Sequence, residues 1–165
     1  MPEAGASLTP AQLARLAAAA RAPGPLALLR AADEVGREAM GHRLCTAMRF
    51  DAAAMTVQRI YSSDPLAYPV GGAKPKRDTA WGRHVLLEQR VFTGEGEAAI
   101  RAHFDDHAVI AGLGLRSIVN VPVVLRGLCR GTLNFLWAEE QVPAARVALA
   151  ELLGLVAAAD WAAMG

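Results

Sequence analysis

Two strand-like runs joined by a tight turn constrain this chain more than any other feature. Residues from Ser117 to Leu125 are almost continuously apolar, Arg126-Gly127 has turn character, and Leu128 to Trp137 returns in the same style. Apolar residues occupy both alternating faces of each run. The hairpin is therefore expected at the centre of a sheet, covered on both sides. Three residues interrupt it. Asn120 and Asn134 lie inside the strands, where asparagine is disfavoured and a buried amide must find a partner. They read either as ligand-facing amides on the sheet floor or as amides bonded to each other or to the backbone. Pro122 removes a ladder donor, which points to an edge position or a bulge.

The rest of the chain supplies cover for such a sheet. Thr9-Pro10-Ala11-Gln12 starts a helix with a capping box, and Leu13, Leu16, Ala17 and Ala20 make one stripe. Pro23-Gly24-Pro25 ends it. A second helix is expected from about Leu26 to Met40, with an apolar face of Leu28, Leu29, Ala32, Val35, Gly36, Ala39 and Met40. Leu44 to Phe50 and Met55 to Tyr61 read as a hairpin across Asp51 to Ala54. Ser62 to Lys76 is rich in Pro, Gly and Ser and reads as a loop. Helices are expected over Ala80 to Arg90, Glu95 to His103 and Asp106 to Ala111, with a short strand at Val91 to Thr93. Pro143 opens a last helix with Leu149, Leu152, Leu153 and Val156 on one face. The reading is an α+β fold with one antiparallel sheet. Terminal helices cover one face, and the irregular middle segment covers the other. Residues 1–25 are taken as an N-terminal helix and linker, and 26–165 as a single domain.

Composition narrows the partners. With 17 basic and 16 acidic side chains the net charge is +1, so neither nucleic acid nor a membrane surface is an expected partner. The N-terminal stretch has no signal-peptide pattern, and the Ala/Leu run from Leu13 to Ala20 is too short to span a bilayer. Cys45 and Cys129 form no CxxC pair and read as reduced thiols of a cytoplasmic protein. Cys45 is expected to pack as a small apolar group. Cys129 lies beside Arg126 and Arg130, which favour a lowered pKa.

Several segments together resemble the GAF domain family. They are the strand ending Arg59-Ile60-Tyr61-Ser62-Ser63, the stretch Phe104-Asp105-Asp106-His107, Gly114 to Val123, and Gly131-Thr132-Leu133-Asn134-Phe135-Leu136. The resemblance covers roughly Leu26 to Asp160. It implies a central antiparallel sheet, terminal helices on one face that often make dimers, and a pocket on the other face roofed by helices and loops. It implies no particular ligand. The Asn-Lys…Phe…Asp-Glu signature of cyclic-nucleotide-binding members is absent. So are the middle-segment cysteines that bilin-binding and methionine-sulfoxide-reducing members use.

On this reading the candidate ligand-binding residues are Tyr61, Ser63, Trp81, His84, Asp105, His107, Asn120 and Asn134. Each has a plain alternative. Tyr61 to Pro65 also reads as a turn, and Trp81 and His84 as a core stripe. His103 to His107 reads as a metal pair, a polar pocket wall or a helix cap at Asp105 or Asp106. Lys74, Lys76, Arg77 and Arg83 either attract an anion or form a solvated basic loop. No catalytic residue, metal site or cofactor is expected. The expected function is a sensory, small-molecule-binding signalling module. It would be homodimeric through its terminal helices and act on a separate effector. The alternatives are a thiol-dependent enzyme of the same fold or a purely structural dimerisation module.

Overall fold

The computed structural model describes residues 5–165; the first four residues of the expected 1–25 segment lie outside it. Helices α1 (Pro10–Ala20) and α2 (Ala27–Met40) precede strands β1 (Leu44–Asp51), β2 (Thr56–Ser62) and β3 (Gly71–Pro75). The middle of the chain holds a short π-helix (Gly82–Leu87), β4 (Phe92–Glu95), α3 (Glu97–His103) and α4 (His107–Gly112). Strands β5 (Ser117–Leu125) and β6 (Leu128–Trp137) and helix α5 (Ala144–Ala162) follow. The strands form one antiparallel sheet in the order β3-β2-β1-β6-β5-β4.

Successive side chains of a strand point to opposite faces, so an apolar strand needs cover on both sides. Cys45, Ala47, Val119, Val121, Val123, Leu133, Phe135 and Trp137 face the helices and join Leu29, Val35, Leu153 and Trp161 in one buried cluster. Leu44, Ile118 and Leu136 face the other way and pack with Ile100 and Ile110 of the middle segment. Helix α5 lies on β5 and β6, α2 packs along α5, and α1 packs on α2. A Cβ at Gly154 would stand 2.7 Å from Val121 Cγ1, so glycine there lets α5 settle onto β5. The indole of Trp161 donates to the Met48 carbonyl at 3.0 Å and that of Trp137 to Met40 at 2.9 Å, tying α5 and α2 to the sheet.

Pro122 meets both expectations. Strand β4 pairs with β5 only from Ser117 to Asn120, so Pro122 lies beyond the paired stretch, and a bulge follows between Val123 and Val124. Other expectations need correction. The loop from Ser62 to Lys76 contains the edge strand β3, because backbone pairing to β2 needs little from the side chains. The expected helix from Ala80 is the π-helix. Helix α1 buries Gln12 and Leu16 and leaves Leu13 52% exposed. Its inward face is set by the Gln12 amide, which donates to Glu38 of α2 at 3.0 Å. No helix of the described residues is long and apolar enough to cross a membrane.

Asp33 is a carboxylate on the buried face of α2 that the apolar periodicity does not reveal. Its oxygens accept from His42 Nε2 at 2.7 Å and from the Tyr61 hydroxyl at 2.6 Å, with Arg37 at 3.5 Å. Burial alone would raise the Asp33 pKa, but the hydrogen bonds from His42 and Tyr61 outweigh it and the net shift is downward. Burial lowers the His42 pKa against the pull of Asp33. Both groups bind protons more readily in the unfolded chain, where they titrate near ~3.9 and ~6.5. Their contribution is therefore complete above those values and is lost as the pH falls, first through His42 and then through Asp33. Thermal unfolding followed from pH 7.5 to 5 should show a falling midpoint, and His42→Gln should flatten that slope.

Candidate functional site

A cavity of about 50 Å³ lies between the sheet and the middle segment. Its floor consists of Leu44, Thr46 and Met48 of β1, Ile118 and Asn120 of β5, and Asn134 and Leu136 of β6. These are the even-numbered positions, the face turned away from the helices. Arg59 of β2, Tyr68, Lys74, Lys76, Trp81, Phe104, Asp106 and Ile110 form its walls and roof. A space of this size holds a few water molecules or a small ion.

One chain of hydrogen bonds crosses the floor. Trp81 Nε1 donates to Asn120 Oδ1 at 3.0 Å, Asn120 Nδ2 to Asn134 Oδ1 at 2.7 Å, and Asn134 Nδ2 to Thr46 Oγ1 at 3.2 Å. Asn120 and Asn134 are register partners across β5 and β6, and Thr46 is the partner of Asn134 across β6 and β1. The direction of the chain is forced. An indole nitrogen only donates, so Asn120 turns its carbonyl to Trp81 and its amino group to Asn134, and the same constraint fixes Asn134. Thr46 accepts at the end and keeps its own O–H as a donor. Chains aligned this way polarise one another.

The walls carry charge. The Arg59 guanidinium lies 4.8 Å from the centre of the Tyr68 ring, and its Nη1 donates to the Pro69 carbonyl at 3.2 Å. Its Nε is buried and has no partner among the described residues. The Lys76 ammonium sits 4.9 Å from the centre of the Trp81 ring, and burial followed by the charge of Lys74 pushes its pKa down. The Asp106 carboxylate accepts from the Tyr68 hydroxyl at 2.7 Å. Burial and that bond push the Tyr68 phenol up.

Of the residues singled out in the sequence, the structure brings Trp81, Asn120 and Asn134 together at this cavity. Tyr61 and Ser63 border an open groove beside α2 instead, with Arg15, Arg37 and Asp33. Tyr61 binds Asp33, and Ser63 Oγ accepts from the Cys45 backbone N–H at 2.9 Å. His84 contacts the Val91 carbonyl at 2.9 Å and borders a separate depression. Asp105 is exposed and His107 half-buried, and neither lines the cavity; Asp106, between them, does. Asp106 is the N-cap of α4 by position, but its side chain makes no capping bond. Among the four clustered cations, Lys74 and Lys76 reach the cavity and Arg77 and Arg83 do not. Thr46, Arg59 and Tyr68 were not singled out. Period-two counting from Leu44 and from Asn120 would have placed Thr46 on this face, but nothing local marks Arg59 or Tyr68.

The thiols lie elsewhere. Cys45 is fully buried under the helices, and burial drives its pKa well up. The Cys129 pKa is raised by burial, so Arg126 and Arg130 do not activate it. Asp33, His42 and Cys45 offer ligand atoms within 4.8 Å of one another. Asp33 and His42, however, are at hydrogen-bond distance, 2.7 Å, whereas two ligands of one tetrahedral zinc stand roughly 3.3 Å apart. The group is organised as a hydrogen-bonded network.

Replacing Asn120 by Leu should leave the Trp81 N–H and the Asn134 carbonyl without partners, at about 1–3 kcal/mol for each orphaned group. The pair Asn120→Leu/Asn134→Leu should lose less than the sum of the single changes. Urea unfolding of the three variants measures both quantities.

No protein-family model matches the sequence, and no curated protein matches it. Solved structures do. The GAF domain of a phosphoenolpyruvate-protein phosphotransferase from Coxiella burnetii superposes with a TM-score of 0.74 at 16% identity, over 93% of this chain and 92% of that one. The corresponding GAF domain from Acinetobacter gives 0.70 at 15% identity, over 94% and 95%. The chromophore-binding domain of Stigmatella aurantiaca bacteriophytochrome gives 0.66 at 17% identity, over 93% of this chain and 58% of that one. On these superpositions over nearly the whole chain, this chain has the fold of a GAF domain.

Proposed function

We propose that this chain is a sensory module that binds a small molecule between its sheet and its middle segment. The observation that carries the reading is the cavity itself: a floor in which Thr46, Asn120 and Asn134 run as a polar line among apolar neighbours, roofed by short helical elements. The π-helix spans 6 residues, α3 spans 7 and α4 spans 6. In the proposal these short elements shift while the sheet beneath them stays paired. A guest larger than a small ion shifts the roof outward, and the population of the shifted state is the signal.

Similar folds support the direction of the reading. One belongs to a two-component sensor histidine kinase and another to a methyl-accepting chemotaxis protein. In the proposal the module works in the cytoplasm as a homodimer through its terminal helices and passes its state to a separate effector. Leu13 of α1 and Leu152 and Leu155 of α5 are 52%, 45% and 71% exposed and supply apolar surface for that contact. A thiol-dependent enzyme has less support, since neither Cys45 nor Cys129 lines the cavity.

A differential-scanning fluorimetry panel of metabolites should raise the melting temperature for at least one chemical class. The same compound should have no effect on Ile118→Phe, which fills the floor of the cavity. Absence of stabilisation across the panel, or equal stabilisation of the filled variant, would count against the reading and in favour of a structural module.

A further inference from the structure

Resting on the reading of the cavity as a ligand site, the geometry points to its occupant: a compact carboxylate held by Arg59, Lys76 and the Thr46 hydroxyl. The argument is a count of donors against acceptors at one cavity wall. The floor relay ends on the Thr46 hydroxyl, which accepts from Asn134 and keeps its O–H as an open donor, while Asn120 and Asn134 each spend one of their two amide N–H groups in the relay. Arg59 is held in place by the Tyr68 ring and the Pro69 carbonyl, both of which leave its Nε–H edge free; Nε is buried and unpartnered among the described residues. That edge, with the adjacent Nη2, is the side of a guanidinium that takes a carboxylate through two parallel bonds. Lys76 lines the same cavity with no carboxylate within ion-pair distance among the described residues.

Three cationic side chains, Arg59, Lys74 and Lys76, line this wall against the single carboxylate of Asp106, and that carboxylate already accepts from Tyr68. Lys74 is exposed, but Arg59 and Lys76 are part-buried and burial disfavours the charge of both; such cations, and donors without acceptors, are costly unless an anion answers them. The register explains why they share a wall. Lys74 of β3 is the partner of Val57 on β2, two residues from Arg59, and Lys76 follows two residues after Lys74, so all three fall on the cavity face. The remaining lining, Leu44, Ile118 and Leu136, is apolar, which favours a short hydrocarbon carboxylate over a fully hydrated inorganic anion.

The test is isothermal titration of the intact chain with acetate, propionate, succinate and benzoate at constant ionic strength. Inorganic phosphate and the matching neutral amides are titrated in parallel. At least one carboxylate should bind, and its amide should bind at least tenfold more weakly. Arg59→Lys and Arg59→Gln should each weaken that carboxylate by tenfold or more, because an ammonium does not reproduce the two parallel bonds. Lys76→Gln should weaken it several-fold and serves alone if the Arg59 variants do not fold by circular dichroism. Equal binding of acid and amide, a preference for phosphate, or unchanged affinity in the variants overturns the carboxylate assignment. So does a lack of binding by all four acids. If the metabolite panel then yields a neutral compound whose effect Ile118→Phe abolishes, the ligand-site reading stands without it; if nothing in the panel binds, both fail together.

Discussion

Two asparagines face each other in the middle of an otherwise apolar strand pair, and much of the enclosed face follows from the need to satisfy them. A buried primary amide offers two donors and an acceptor, and an unpaired one is costly. Asn120 and Asn134 each engage their carbonyl and one amide N–H, through each other, through Trp81 above and through Thr46 beside them. The bond to Trp81 draws the segment around the π-helix down onto the sheet. The bond to Thr46 joins the central strand pair to β1. A polar line through the floor thus performs a packing task that leucines in the same places would perform without direction.

The opposite face is organised by a charge. Asp33 is held by His42 and Tyr61 under α2, while Asp160 of α5 reaches back to accept from the Leu29 backbone N–H at 2.7 Å. Helix α2 has no local side-chain cap and starts from Leu26 in a left-handed conformation. A carboxylate from the last helix therefore supplies what the local sequence lacks. The two terminal segments stabilise each other on one face, and the sheet separates this network from the cavity on the other.

The layers and the central hairpin were legible in the sequence because they rest on periodicity. The alternation in Ser117 to Leu125 and Leu128 to Trp137 and the 3.6-residue stripe of Leu28, Leu29, Ala32 and Val35 are local signals. Asn120 and Asn134 were legible as anomalies, though the choice between facing a ligand and facing each other was not; the structure shows them bonded to each other while lining the cavity. Tyr61 and Ser63 illustrate the limit. The family resemblance put them beside the pocket, and period-two counting would set Tyr61 on the same face as Arg59, but a register shift pairs Arg59 with Met48 and Tyr61 with Ala47, which lie on opposite faces of β1. Arg59 and Tyr68 became visible as a pair only through the guanidinium-over-ring contact. Asp33 was masked because a charged residue on an apolar stripe looks like an error in the stripe until its partners, His42 and Tyr61, are known.

Pro122 has a consequence beyond its own strand. Where β5 runs past the end of β4, its outer edge has no strand partner, and an unpaired edge is where a foreign strand would dock. Proline offers no N–H to such a visitor, and the bulge that follows at Val123 and Val124 breaks the even spacing a docking strand would need. The sheet is thereby discouraged from growing sideways into aggregates at that rim.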